Sequence, residues 1–354
     1  MYRKTSFTDS SSEVINKYRG TVSGRWFDLI ILQIQKHGVN PLSPEHFNIP
    51  LESWSNCDRP VPVDGARRLL YWAVEQTGNP LLPVDLGLSL QPLDIKSLGI
   101  VLWSAASLRQ RIEKLEMYQS LITTTTRIIF NQKAGTASLL LIDSDALDKQ
   151  VNLTTHGMMA LVSAVTKVIR WDNEAEITIH LPFEQPTYHK RLEDKLESTL
   201  KFSMSQYRIE FSVDALDQPL RTTDPELLQA TESLVQKKLL MIEQSNLVLK
   251  VSRSLLELSP LIPPTTGEMA SLMNMSSRTF QRKLTELGLS YRELVNKIRH
   301  EKAIALIESG DTPLSTIAYE SGFGDLSSFS RAFKSWTGLS PRQYRNVQSC
   351  KVKK

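Results

Sequence analysis

Near its C-terminal end the chain carries one pattern twice. The stretch ESGFGDLSSFSRAFKSWTGLSPRQYR, Glu320 to Arg345, has a counterpart upstream in TGEMASLMNMSSRTFQRKLTELGLSYREL. In the later copy Leu326, Phe329, Phe333 and Trp336 fall at helical spacing and predict one apolar stripe, read as core. Asp325 stands where an N-cap belongs and Gly338 where a left-handed residue ends a helix. Ser340, Pro341 and Gln343 then spell the start of the next helix as cap, first position and capping box. Ahead of them TPLSTIAYESGFG predicts a short helix capped by Thr312 and opened by Pro313, with Leu314, Ile317 and Ala318 facing inward and Gly322 making the turn. Two short helices joined at a glycine form a helix-turn-helix.

The earlier copy repeats cap, turn, core and glycine in the same order. Thr265 and Glu268 make a capping box, Met269 and Ala270 match Ile317 and Ala318, and Asn274, the next best left-handed residue, matches Gly322. After a one-residue slip, Phe280, Arg282 and Leu284 match Phe329, Arg331 and Phe333, and Gly288 with Ser290 echoes Gly338 with Ser340. Such ordered agreement predicts an internal duplication. Between the copies, Ser290 to Ser309 opens with the box Ser290/Glu293, contains no glycine or proline and stops at Gly310, which predicts one helix of about 20 residues and about 30 Å. A rod of that size can hold two helices near the ~34 Å that separates successive major-groove segments on one face of B-DNA.

The faces opposite the apolar stripes are small, polar and cationic. In the second copy they carry Ser327, Ser328, Arg331, Lys334 and Ser335; in the first, Ser277, Arg278, Gln281, Arg282 and Thr285. Arginine pairs bidentately with guanine O6 and N7, glutamine with adenine N6 and N7, serine with several base edges, and lysine with phosphate. Charge follows the same division: residues 241–354 hold 16 basic and 10 acidic side chains, net +6, while residues 1–240 carry −2. A polyanion is the partner that such an end suits.

GFGDLSSFSRAFKSWTGLSPRQYR resembles the signature of the AraC/XylS class of bacterial transcription regulators, and SSRTFQRKLTELGLSYRELV resembles its first recognition helix with the start of its linker helix. The resemblance runs from Asn246 to Val347. It implies a seven-helix unit with two helix-turn-helix motifs, a first helix over Asn246 to Leu258, and recruitment of RNA polymerase at promoters. Carried over by position, it implies base-facing roles for Ser277, Arg278, Gln281 and Arg282, and for Leu326, Ser327, Ser328 and Arg331. At Gly324 relatives often carry a polar residue.

The first two thirds read as α+β. SGRWFDLIILQIQKHG, DGARRLLYWAVEQTG and SAASLRQRIEKLEMYQSLI predict helices, TTRIIFNQ and TASLLLID flank KAG as a hairpin, and a helix, a strand (AEITIHL), a helix and a strand (QYRIEFS) complete the order. Helices followed by ββαβαβ differ from an all-β sensor. Through QPLDIKSLGIVLWSAASLRQRIEKLEMYQSL the segment resembles the N-terminal domain of regulators of ornithine and arginine use, which implies effector sensing or dimerisation. The expected fold is thus an α+β N-terminal domain (1–220), a connector helix (221–245), an all-α domain with two helix-turn-helix motifs joined by a long linker helix (246–349), and a basic tail (350–354).

Enzymatic chemistry finds no foothold. A Gly-rich phosphate loop, HExxH and GxSxG are all absent, and the six histidines are scattered without ligand spacing, so neither catalytic residues, metal nor cofactor is expected. His180 alternates outward on its strand in this reading, His156 lies near a helix start, and Cys57, in the SNCDRP loop without a base, reads as a free thiol. Cys57 and Cys350 are the only cysteines, the N-terminal segment is too polar for a signal peptide, and the longest apolar run, SLGIVLWSAASL, is shorter than the ~20 residues of a membrane span. The expectation is a cytoplasmic regulator, an activator of transcription, with double-stranded promoter DNA and RNA polymerase as partners, a small-molecule effector, a homodimeric state and no membrane. The alternative is a protein-binding antagonist that keeps the fold without binding DNA.

Overall fold

A computed structural model describes residues 20–40, 42–54, 59–133, 135–143, 151–172, 174–245, 247–287, 289–308 and 312–352. The polar N-terminal segment, Cys57, Asn246, Gly288 and Gly310 lie outside the described residues.

The front domain opens with a two-residue strand β1 (Thr21–Val22) and helices α1 (Gly24–Lys36) and α2 (Leu51–Trp54). Strand β2 (Val61–Pro62), antiparallel to β1, leads into α3 (Val63–Thr77), α4 (Leu82–Leu88), α5 (Lys96–Trp103) and α6 (Leu108–Tyr118). Of these, α1, α3 and α6 follow the apolar spacing expected; the β1–β2 ribbon and helices α2, α4 and α5 are additions to it. The hairpin forms as predicted from β3 (Thr126–Lys133) and β4 (Thr136–Asp143), with Phe130 opposite Leu139.

Helix α7 (Val151–Arg170) crosses next, followed by β5 (Thr178–His180), α8 (His189–Leu196), β6 (Thr199–Lys201) and β7 (Tyr207–Ser212). Among the described residues the sheet order is β3-β4-β7-β5-β6, with β5 and β6 parallel and the other neighbours antiparallel. Strand β6 is an addition to the expected ββαβαβ order. Only three residues long, it offers too short an alternation to stand out.

The sheet corrects the reading of His180. Strand β5 lies between β7 and β6, and His180 is 2% exposed with its Nε2 2.9 Å from Oε2 of Glu210. Burial works to raise the Glu210 carboxyl, but His180 and Arg208 outweigh it and hold it down at about 2. The outward reading assumed one wet face, whereas the sheet is covered on both sides in its middle. On β4, Leu139 and Leu141 join the front core, while Leu140 and Ile142 point the other way and join a cluster with Ile304, Ile307, Phe329 and Phe333.

Arg111 clamps the front domain to the start of the connector. It is fully buried, donates from Nε to the Leu102 carbonyl (2.8 Å), from Nη1 to the carbonyls of Val168 (3.3 Å) and Trp171, and from Nη2 to Thr222 Oγ1 (3.5 Å). Burial lowers its pKa to about 10, and the charge survives because its donors are occupied. The chain then enters the connector helix α9 (Pro225–Ser245), whose Glu232 is gripped by Lys114 and by the Tyr118 hydroxyl at 2.6 Å.

Among the described residues seven helices follow: α10 (Leu247–Leu256), α11 (Thr266–Leu272), α12 (Ser277–Glu286), α13 (Tyr291–Glu308), α14 (Leu314–Glu320), α15 (Leu326–Thr337) and α16 (Pro341–Val352). With the front domain, this is the α+β plus all-α architecture expected. Two boundaries move: α10 ends at Leu256 rather than Leu258, and α14 starts at Leu314 with Pro313 as its cap residue, while Thr312 instead offers its carbonyl to Arg345 at 2.6 Å.

Candidate nucleic-acid interface

Each motif is built by the caps its sequence spells. Thr265 Oγ1 accepts from the Glu268 amide (3.3 Å) while Glu268 Oε2 accepts from the Thr265 amide (2.7 Å), a reciprocal box that starts α11. Asn274 turns the chain at φ 56°, and Ser276 caps α12 by accepting from the Thr279 amide at 3.2 Å. In the second motif Gly322 turns at φ 80°, and Asp325 caps α15 by accepting from the Ser328 amide at 2.7 Å. The Ser328 amide and hydroxyl, helped by Arg331, hold the Asp325 carboxyl below the usual carboxylate range.

Burial then sorts the faces. Phe280 and Leu284 of α12, and Phe329 and Phe333 of α15, are at most 1% exposed. On the opposite faces Ser277, Arg278, Gln281 and Arg282, and likewise Ser327, Arg331 and Lys334, are exposed. Ser328 is half-buried, its hydroxyl donating to Asp325 Oδ2 at 2.7 Å. Leu326 leaves the predicted core stripe: at 44% exposed it stands in solvent at the start of α15, because position one of the helix precedes the turn that Phe329 packs. Trp336 is half-buried against His300 and Phe323.

Neither central arginine is buried in an ion pair. Arg282 Nη1 lies 2.8 Å from Glu286 Oε1, with both side chains about half exposed or more, a geometry worth about 0–1 kcal/mol and easily exchanged. Arg331 Nη2 reaches Ser328 Oγ at 3.4 Å. These groups offer hydrogen-bond donors and acceptors on two convex, water-facing helices, the chemistry that suits base edges and phosphates.

The rod between them divides its labour. Leu294, Val295 and Ile298 of α13 enter the core of the first motif, and Ala303, Ile304 and Ile307 enter that of the second. Its 18 residues span about 27 Å.

Part of the C-terminal basic excess turns out to be structural. Arg299 donates to the Gly322 carbonyl (2.9 Å) and sits 5.0 Å over the Phe323 ring, Lys302 donates to the Leu258 carbonyl (2.9 Å), and Arg345 holds Thr312. Their positions within turns that also bear Ile298, Ala303 and Tyr344 are the signal that could have marked them as inward. Arg292 and Arg342 stand exposed at the starts of α13 and α16, outside both second helices and so outside the spacing that marks the other cations.

Two domain families match separate parts of the chain. Residues 269–346 match a helix-turn-helix domain family, and residues 45–220 match the arabinose-binding domain of AraC transcription regulators, N-terminal. The ornithine utilization regulator of Pseudomonas aeruginosa is 25% identical over 79% of this chain and 83% of its own length. The HTH-type transcriptional regulator VqsM of the same organism is 31% identical over 38% of this chain and 42% of its own. The crystal structure of the transcriptional regulator CdpR, also from Pseudomonas aeruginosa, aligns over 91% of this chain and 98% of its own with 20% identity and a TM-score of 0.47. The relatives are named as transcription regulators rather than enzymes. No helix among the described residues is long and apolar enough to cross a membrane.

Proposed function

This chain belongs to the AraC/XylS class of transcription regulators, and from that membership we propose that it activates transcription by binding double-stranded promoter DNA through α12 and α15 under the control of its N-terminal domain. One observation carries the reading: two duplicated helices turn their apolar residues into separate cores and their Ser, Arg, Gln and Lys residues outward, on a single 18-residue rod. Ser277, Arg278, Gln281 and Arg282 read one major-groove segment; Leu326, Ser327, Ser328 and Arg331 read the next, with Lys334 on phosphate. Leu326 supplies an apolar contact of the kind that meets a thymine methyl.

RNA polymerase at the promoter, a small-molecule effector and a second copy of the chain complete the proposal, and its setting is the cytoplasm. Two copies on paired half-sites raise affinity through effective concentration. Residues 1–220 sense and dimerise, 221–245 connect, and 246–349 bind DNA. The test is a fluorescence-anisotropy titration of the full chain against genomic promoter fragments at several salt concentrations. Binding that weakens steeply with salt and favours particular fragments supports the reading; binding equal on all fragments, or absent at low salt, overturns it.

A further inference from the structure

The two helix-turn-helix motifs share the rod α13, and a second connection closes a ring with it. The loop after α10 belongs to the first motif, because Leu261 is fully buried in the core around Phe280. Its polar atoms go to the second. The Leu261 amide donates to the Glu320 carbonyl at 3.0 Å, and the Ser259 hydroxyl donates to Glu320 Oε2 at 2.7 Å. From the rod, Lys302 donates to the Leu258 carbonyl at 2.9 Å and brings its ammonium within 3.6 Å of the same Glu320 oxygen. Arg299, one turn earlier on α13, donates to the Gly322 carbonyl at 2.9 Å. Loop, rod and turn therefore meet at Glu320 to Gly322.

The duplication singles out the second copy at this point. With Met269 and Ala270 matching Ile317 and Ala318, Leu272 matches Glu320 and Asn274 matches Gly322. In the first copy Leu272 stands 59% exposed, and Asn274 makes its turn at φ 56° with a side chain in place. In the second copy a Cβ at Gly322 would lie 1.8 Å from the Leu261 carbonyl oxygen. Two departures from the repeat, Leu to Glu and Asn to Gly, thus fall where the loop arrives. The motif itself requires neither, since the first copy folds without them. The Lys302 and Glu320 side chains keep 15% and 27% of their surface, so their ion pair adds little stability of its own. Its consequence is geometric: a rod joins two bodies along one line, and an attachment beside that line restrains their rotation about it.

We propose that Glu320, held by Ser259 and Lys302, is a positioning residue that locks α12 and α15 in one relative orientation and thereby sets how many base pairs separate the two DNA subsites. The inference rests on the reading that these two helices bind DNA. Glu320 is the last residue of α14 and acts through the turn that aims α15. One base pair inserted between the subsites moves them apart by about 3.4 Å and rotates one against the other by about 35° around the duplex. A locked pair of helices cannot follow that change, and a loosened pair can.

The test has two arms on the full chain. Without DNA, spin labels are placed on the exposed Thr285→Cys and Ser335→Cys in a chain carrying Cys57→Ser and Cys350→Ser, and electron–electron double resonance reads the distance between α12 and α15. Glu320→Ala broadens that distribution about twofold or more, whereas Glu320→Gln, which still accepts from Ser259, stays near the parent. The exposed Ser259→Ala cuts one arm of the clasp, leaves both cores untouched and broadens it less. With DNA, the parent selects its operator from random duplexes, and one base pair is then added or removed between the subsites. The parent loses about tenfold or more in affinity and Glu320→Ala about threefold or less, a difference that a merely destabilising substitution would not produce because it weakens all spacings alike. A distance distribution unchanged in both Glu320→Ala and Ser259→Ala, or a spacing penalty equal to the parent's, overturns the clasp. If the parent selects no sequence, the DNA-binding reading fails instead, and the distance distribution alone judges the lock.

Discussion

Arg282 and Arg331 occupy corresponding places in two copies of one motif but are held differently. Arg282 leans on a carboxylate at 2.8 Å; Arg331 leans on a hydroxyl at 3.4 Å that itself serves the Asp325 cap. Both are exposed, so replacement leaves the fold intact. Arg282→Ala and Arg331→Ala each lower promoter affinity by about 1–3 kcal/mol and relax selectivity at one base position, measured by anisotropy on point-mutated operators. Glu286→Gln acts in the opposite direction: it frees Arg282 and removes a negative charge beside the duplex, so affinity rises a few-fold at low salt and the gain fades as salt is added. Unchanged affinity in all three variants would remove α12 and α15 from the interface. Two glycines set a second contrast. A Cβ on Gly322 would fall 1.8 Å from the Leu261 carbonyl oxygen at φ +80°, whereas one on Gly338, at φ +77°, meets nothing within 4 Å. Gly338→Ala therefore costs the left-handed penalty of about 1 kcal/mol, and Gly322→Ala costs that plus a backbone displacement, about 3 kcal/mol or more, read from denaturant midpoints.

At the scale of elements, the C-terminal domain was legible because local signals agree with one another. The capping boxes at Thr265, Ser290 and Ser340, and the left-handed Asn274, Gly322 and Gly338, all form as the sequence spells them. The front domain was less legible: α4 and α5 hide in the punctuated run between Leu82 and Trp103, and β6 is three residues long. His180 was misread because alternation reports faces but not how many faces are covered. The uninterrupted apolar run of β4, Leu139 to Ile142, was the available sign of burial on both sides. Inside α13, His300 shows what a buried titratable group does to an element. It packs 5.2 Å from Trp336, its Nε2 has no hydrogen-bond partner among the described residues, and burial pulls its pKa from 6.5 to about 4. A depressed histidine means the unfolded chain takes up the proton first, so stability is complete above about pH 6.5 and drains as pH falls toward 4. At pH 5 the loss is about 2 kcal/mol, and His300→Leu flattens that part of the profile in melts recorded between pH 7 and 5. Asp325, Glu268 and Glu293, whose carboxyls are lowered by their caps, add a further loss in more acidic solution.

At the scale of the whole molecule, the two helix-turn-helix cores are not equivalent. The first core, around Phe280, draws its buried members from residues 251–298 alone; the second, around Phe329 and Phe333, includes Leu140 and Ile142 from the front sheet. The second motif thus completes its core on the back of the front sheet, and the first meets the front domain across a cavity lined in part by Arg25, Lys96, Lys238 and Lys283. This asymmetry makes the two halves separable by experiment. Ile129 lies opposite Leu140 in the β3–β4 ladder and is only partly buried against the second cluster, so Ile129→Ser weakens the contact without opening the front core. The substitution exposes apolar surface of the second motif at a cost of about 1–2 kcal/mol. Hydrogen exchange reads it directly: amides of α15 and α16 lose protection about tenfold, while those of α11 and α12, which have a core of their own, keep theirs. Equal loss in both motifs would mean that α13 transmits the disturbance as one rigid rod and that the sheet supports the DNA-binding unit as a whole.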